Sequence, residues 1–439
     1  MSALSQVPGL AKAAKPKKLA FSERVLASGL RVVAIRRPTV PMVEVRLRIP
    51  FFSAKEHHLA QSSLLAGTIR TGTAEHDRAA LAIALGDLGA ELSVGLDPDR
   101  LQLSASAIAA GLPALLELYA EILNSASYPN AEVDGERGRL LERITMSRSQ
   151  AGVIAGEALA DRMSPGHPYG RTLPAEQSVA ATTAAQLRRL HASLVRPQGS
   201  LLVIVGDISP ARALDAAESA LQGWSGAAPA AKAAPLPPLT ERPLLIMNRP
   251  GSVQTAFRFA GAGLPRQDER YPALQLANLI FGGYFSSRWV ENIRERKGYS
   301  YSPRSALDHS ALRSSVTITA DVATEVTTPA LLETLYELGR MASTPVAEAE
   351  LESVRQYAIG VLALSTATQS GLASTAASLL GTGVELEWLS SHPARLAGVT
   401  VAEVAEVAAE FLAPRKLIGV AVGDASAITA GLAGIVEVE

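Results

Sequence analysis

The sequence predicts an α+β fold of two homologous domains, each a largely antiparallel sheet with helices packed on it. Three observations carry this. Strand and helix patterns mix in each half without a regular βαβ alternation. A segment rich in Ala and Pro divides the chain near its middle, and the pattern before that segment returns after it.

Residues 1–20 contain no apolar run long enough for a signal-peptide core, and their lysines follow the weak apolar stretch. They predict a flexible arm. The first domain is expected over residues 21–222. Residues 43–49, VEVRLRI, alternate apolar and charged side chains, as a half-exposed strand does. A helical stretch, LAQSSLLAGTIR, begins at Leu59. Residues 92–107 read as a hairpin around Asp97-Pro98-Asp99. Helices are expected near 113–124, 134–148 and 183–194. The half closes with LLVIVGDIS.

Residues 223–243, GWSGAAPAAKAAPLPPLTERP, lack an amphipathic period and read as a semi-rigid spacer. The second domain is expected over 244–439. It opens with a strand at 256–260 and a helical stretch from Tyr271. A strand near 316–320 comes next, then helices near 329–341, 346–364 and 401–411, and the half closes with LIGVAVGDAS. A repeat of about 210 residues is too long for a solenoid and fits duplicated domains. Asp207 and Asp424 in the two Val-Gly-Asp turns are each expected to cap the next turn or helix.

Composition narrows the function. The chain has 439 residues, 48% of them apolar and only 5% aromatic, so Ala, Leu and Val must fill the cores. Net charge is −1 with both signs mixed, which argues against a nucleic-acid or anionic-membrane binder. The absence of cysteine excludes disulfides, thiolate metal sites and a cysteine nucleophile. No stretch of about 18 apolar residues predicts a membrane span. A cytoplasmic location is expected, with export left open.

Three stretches, taken in order and spacing, carry a family resemblance over nearly the whole chain after the arm. They are ERVLASGLRVVAIRRPTVPMVEVRLRIP from Glu23, SPGHPYGRTL from Ser164, and FGGYFSSRWVENIRERKGYSYS from Phe281. Together they resemble the pitrilysin and processing-peptidase (M16) zinc metallopeptidases. In that family the first half carries His-x-x-Glu-His on a helix and a distant Glu. Two His four apart share a helix face and hold zinc, the Glu between them activates the bound water, and the far Glu completes the ligands.

Here the five motif positions read Gln61, Ser62, Ser63, Leu64 and Leu65, and the distant position reads Arg143, with Glu142 one residue away. The resemblance therefore implies a subunit with a degenerate zinc site at Gln61, Leu64, Leu65 and Arg143. No metal or other cofactor is expected in this chain, and zinc is assigned to a presumed partner. Adjacent His57 and His58 cannot share one metal as an i, i+4 pair does. His76 lies in a polar turn, and His167 is expected to hold another. His191, His309 and His392 show no pairing.

The second-half motif is intact. Arg294 and Tyr301 stand seven apart in IRERKGYSY. In the family the matching pair bonds the substrate backbone near the scissile bond. An Arg fork suits a carbonyl or oxyanion, and a phenol adds a directional donor. Gly298 is expected to end a helix so that Tyr301 starts the next strand. Phe281-Gly282-Gly283 lacks the Lys-Ser/Thr of a phosphate loop and reads as close packing.

The implied function is the substrate-binding subunit of a two-chain zinc peptidase. Its partners would be a homologous subunit carrying His-x-x-Glu-His and an unfolded peptide, the latter held in the partner as an added strand. The alternative is a non-hydrolytic peptide-binding or structural protein of the same fold.

Overall fold

The computed structural model describes residues 19–227 and 234–439. Residues 1–18, most of the expected arm, lie outside this range.

The first half runs β1 (Phe21–Val25), β2 (Arg31–Arg36), β3 (Met42–Pro50), α1 (His58–Thr68), α2 (Arg78–Asp87), β4 (Glu91–Leu96), β5 (Arg100–Ile108), α3 (Leu112–Ser125), α4 (Asn130–Arg148), α5 (Ala151–Met163), α6 (Glu176–Ala180), α7 (Ala184–Leu194), β6 (Leu201–Gly206) and α8 (Pro210–Leu221). The second half runs β7 (Leu245–Asn248), β8 (Gln254–Ala262), α9 (Tyr271–Asn278), α10 (Arg288–Val290), β9 (Arg304–His309), β10 (Ser314–Ala323), α11 (Thr327–Ser343), α12 (Glu348–Ser365), α13 (Gln369–Gly381), α14 (Trp388–Gly398), α15 (Val401–Phe411), β11 (Ile418–Gly423) and α16 (Ala425–Ala433).

The sheets confirm the duplication. Their strand orders are β1-β2-β6-β3-β5-β4 and β7-β11-β8-β10-β9. Apart from the extra edge strand β1, the second order repeats the first. In each sheet one pair is parallel, β2 with β6 and β7 with β11, and the rest are antiparallel. Helices α7 and α15 both start with a full capping box, Thr183 with Gln186 and Thr400 with Glu403. Each box satisfies orphan amides at a helix start. The two Val-Gly-Asp turns differ, however. Asp424 caps α16, whereas Ser209, not Asp207, caps α8.

One face of each sheet packs on helices of its own half. The other face packs on a helix from the opposite half. Leu372, Ala373, Ala376, Ala377 and Leu380 of α13 cover Val33, Ile35, Val203 and Val205 of the first sheet. Reciprocally, Ala155 and Leu159 of α5 cover Ala256, Ala260, Ile418, Val420 and Val422 of the second.

This exchange corrects the expectation that β3 is half exposed. Its apolar residues Val43, Val45, Leu47 and Ile49 are fully buried on one face. The charged face is buried too, under α13. Arg46 pairs with Glu44 at 2.8 Å and donates to Ser370 at 3.0 Å, while Arg48 donates to the Ala377 carbonyl at 2.8 Å. Ion pairs there satisfy polar groups that water cannot reach. The start of the expected spacer is also core. Trp224 is buried against the first half and its indole donates to the Val195 carbonyl at 3.2 Å.

Candidate functional site

Helix α1 carries the degenerate motif and packs beside α4, which carries the distant position. Leu64 and Leu65 are both 0% exposed and belong to the first core. Gln61 is half-buried and Glu142 is exposed. The carboxylate that does face α1 is Glu136, which no sequence motif singles out. It is buried so close to Gly67 that a Cβ there would meet it at 2.8 Å. Its oxygens are taken by Arg139 at 2.9 Å and Arg143 at 2.6 Å. These residues do not fit zinc, because two leucines fill the core side and two guanidinium groups neutralise the one carboxylate.

The histidines are locally bonded. His57 contacts Ser178 at 2.9 Å and His58 the Phe51 carbonyl at 2.6 Å. His167 accepts from the Tyr169 amide at 3.1 Å, which fixes the expected turn. His191 contacts the Tyr128 hydroxyl at 2.7 Å, His309 contacts Ser314 at 2.9 Å and His392 contacts Gln275 at 2.7 Å. His76, read as a residue of a polar turn, is paired with Glu121 at 2.9 Å, and that bond raises its pKa.

The second-half motif is built differently. Residues 279–283 and 291–296 form π-helical turns flanking the short α10. Asn292 is buried, and its amide bridges Glu333 at 2.8 Å and Glu337 at 2.9 Å of α11. Gly298 has φ +66°, a left-handed conformation that glycine adopts without strain. It turns the chain back, and the Tyr299 amide bonds the Ile293 carbonyl at 2.7 Å. The Ser300 hydroxyl then anchors on the Asp321 carbonyl at 2.8 Å. Tyr301 sits in the bend after this anchor and before β9, so it does not start the strand as expected.

This scaffold brings Arg294 and Tyr301 together. The guanidinium carbon of Arg294 lies over the Tyr301 ring at 4.9 Å and over the Phe285 ring at 4.6 Å. Tyr301 is 83% exposed and Phe285 57%. Phe285 was missed from sequence, since nothing distinguishes it from the more buried Tyr284 beside it. Gly282 packs against Trp289, where a Cβ would meet the indole at 2.9 Å, as close packing at that turn requires.

Comparisons with known proteins point to one family and one fold. Residues 181–357 match the family model for the peptidase M16 inactive domain. The chain is 25% identical over 294 residues to an uncharacterized zinc protease of Streptomyces coelicolor, covering 63% of this chain and 62% of that protein. An uncharacterized zinc protease of Mycobacterium leprae is 25% identical over 290 residues, with 64% and 65% covered. The match thus spans less than two thirds of either relative.

Among solved structures, a peptidase M16 inactive domain from Pseudomonas fluorescens superposes with a TM-score of 0.83 at 23% identity, over 92% of this chain and 98% of that one. Residues 181–357 carry the M16 inactive domain, and the fold of the whole chain is M16 peptidase-like. A further structural neighbour is the first half of the periplasmic protease PqqL from Escherichia coli. It has a TM-score of 0.75 at 18% identity, over 96% of this chain and 98% of that one. Against the longer PqqL chain, this chain covers 50% of the length. Among the described residues, no helix is long and apolar enough to cross a membrane.

Proposed function

We propose that this chain is the metal-free subunit of a two-chain M16 peptidase. It lends Arg294 and Tyr301 to an active site whose zinc is held by a homologous His-x-x-Glu-His subunit, and the substrate is an unfolded peptide. The observation that carries this is the contrast between the two motifs. The zinc positions are occupied by core leucines and an ion-paired arginine. The Arg294 cluster instead keeps Tyr301 and Phe285 exposed to solvent beside a turn anchored by the Asn292 hydrogen bonds to Glu333 and Glu337. The PqqL chain supports a paired arrangement, because two bodies of this size fit its length.

Within such a site, Arg294 would donate to a peptide carbonyl or a developing oxyanion, and Tyr301 would add a directional hydroxyl donor. The chain itself would activate no water. The test is to purify the tagged chain with its bound partner and assay peptide cleavage. Arg294→Ala should lower cleavage about tenfold or more and leave the zinc content unchanged. Undiminished cleavage would overturn the assigned role.

A further inference from the structure

We propose that the Arg294 cluster is a carboxylate receptor, selecting peptides that present a carboxylate next to a large apolar side chain. This rests on reading the cluster as peptide-binding, and it adds the chemical class of the peptide. The carboxylate can be the peptide C-terminus or an Asp or Glu side chain.

The cations around Arg294 already have partners. Arg288 is bonded bidentately to Glu350, at 2.8 and 2.5 Å. Arg296 is bonded to Glu291 at 2.7 Å and Lys297 to Glu333 at 3.2 Å. Arg294 differs. Its Nε lies 3.1 Å from the Glu295 carboxylate. Among the described residues, its Nη1 and Nη2 make no hydrogen bond. These two nitrogens form a planar fork that matches a carboxylate bidentately.

The aromatic rings set the orientation and the second requirement. Phe285 and Tyr301 pack against the guanidinium, so the side chain is held in place and is only 29% exposed. Partial shielding from water strengthens a charge-assisted bond at the open edge. The outer surfaces of the two rings remain bare, and an apolar residue beside the carboxylate would cover them. A neutral peptide carbonyl offers the fork one oxygen and no charge, whereas a carboxylate offers two oxygens and a full charge, so the charged ligand binds more tightly.

The test uses the full chain alone and fluorescence anisotropy with four fluorescein-labelled decapeptides of Gly and Ser. The first ends in Phe with a free carboxylate, and the second is its C-terminal amide. The third is an amide with an internal Phe-Asp, and the fourth replaces that Asp by Asn. A C-terminal source predicts that the first binds about tenfold tighter than the second. A side-chain source predicts the same ratio between the third and fourth.

Arg294→Ala should abolish the preference and Arg294→Lys should reduce it, because a point charge replaces the fork. Phe285→Ala should weaken acid and amide alike. Equal binding within both pairs, a preference that survives Arg294→Ala, or no binding of any probe would each overturn the proposal. None of these outcomes depends on the zinc partner. Equal binding together with lost cleavage in the Arg294→Ala complex would sink the carboxylate preference and leave the subunit role standing.

Discussion

The two halves share one strand order and one way of covering their sheets, yet the regions that carry their motifs have diverged. In the first half, α4 buries Val133, Glu136 and Leu140; in the second, α12 buries Leu351, Val354 and Ala358 with identical spacing. The first half has closed around α1, with leucines inward and a carboxylate clamped by two arginines. The second half anchors its turn through Asn292 and Glu337 and keeps two aromatic rings exposed beside a partly shielded arginine. Divergence from a common plan separates what the fold needs from what a ligand needs. Burial was free to replace chemistry in one half, and in the other exposure was retained against the tendency of aromatic residues to be covered.

The comparison can be broken most forcefully at α1. Leu64→Glu restores the base of the family motif but places an unpaired carboxylate in a sealed core. It should cost about 3 kcal/mol or more in urea unfolding. A near-neutral effect would mean that the former site is still open. The exchanged helices give the next largest effect. Leu372→Ala in α13 removes a side chain with 1% exposure and should cost about 2–5 kcal/mol, seen as a lower urea midpoint. Leu159→Ala in α5, at 8% exposure, should fall at the lower end of that range. Equal loss of the single cooperative transition would show that both halves unfold together.

The smallest effect is a pH dependence carried by His392 in the second half. His392 is stacked on Trp388 at 3.9 Å, and burial, helped by Arg395 and Arg266, lowers its pKa to about 3. The unfolded imidazole titrates near 6.5, so between these values the unfolded chain binds more protons. Its contribution is therefore complete above about pH 6.5 and is lost progressively as pH falls toward 3. Lowering the pH from 7 to 5 should cost up to about 2 kcal/mol through this group. His392→Phe should reduce that slope but not remove it, because burial also lowers His309, His58 and His191; an unchanged slope would assign it to those groups.

Much of the fold was legible. The hairpin at Asp97, the strands beginning at Met42 and Ser314, and the long helices α3, α11, α12 and α15 follow from alternation and helical period. The helices that were not anticipated include α5 and α13, the two that the halves exchange. Their sequences, AGVIAGEALADRM and QSGLASTAASLLG, are rich in Ala, Gly and Ser and have no strong apolar stripe. Small residues let a helix lie close on a flat sheet, which is what both do, but they leave a weak periodic signal. The same gap explains why Arg46 and Arg48 read as solvent-facing, since their cover comes from more than 300 residues away. At the site, the loss of the metal donors was visible in Gln61, Leu64, Leu65 and Arg143. The Phe285 contact was not, because it depends on the turn built by Gly298 and Asn292.

The exchange of α5 and α13 also orders events during synthesis. The first sheet can pair its strands once β6 has left the ribosome, yet its outer face, with Val33, Ile35, Val203 and Val205, stays bare until α13 emerges. That interval exceeds 150 residues of translation, on the order of 10–30 seconds at roughly 5–20 residues per second. Helix α5 meanwhile waits for a sheet that does not yet exist. The first half of this chain is therefore born with an apolar surface that only the second half can quench, and a ribosome-bound nascent chain of that length is a natural client for a holding chaperone.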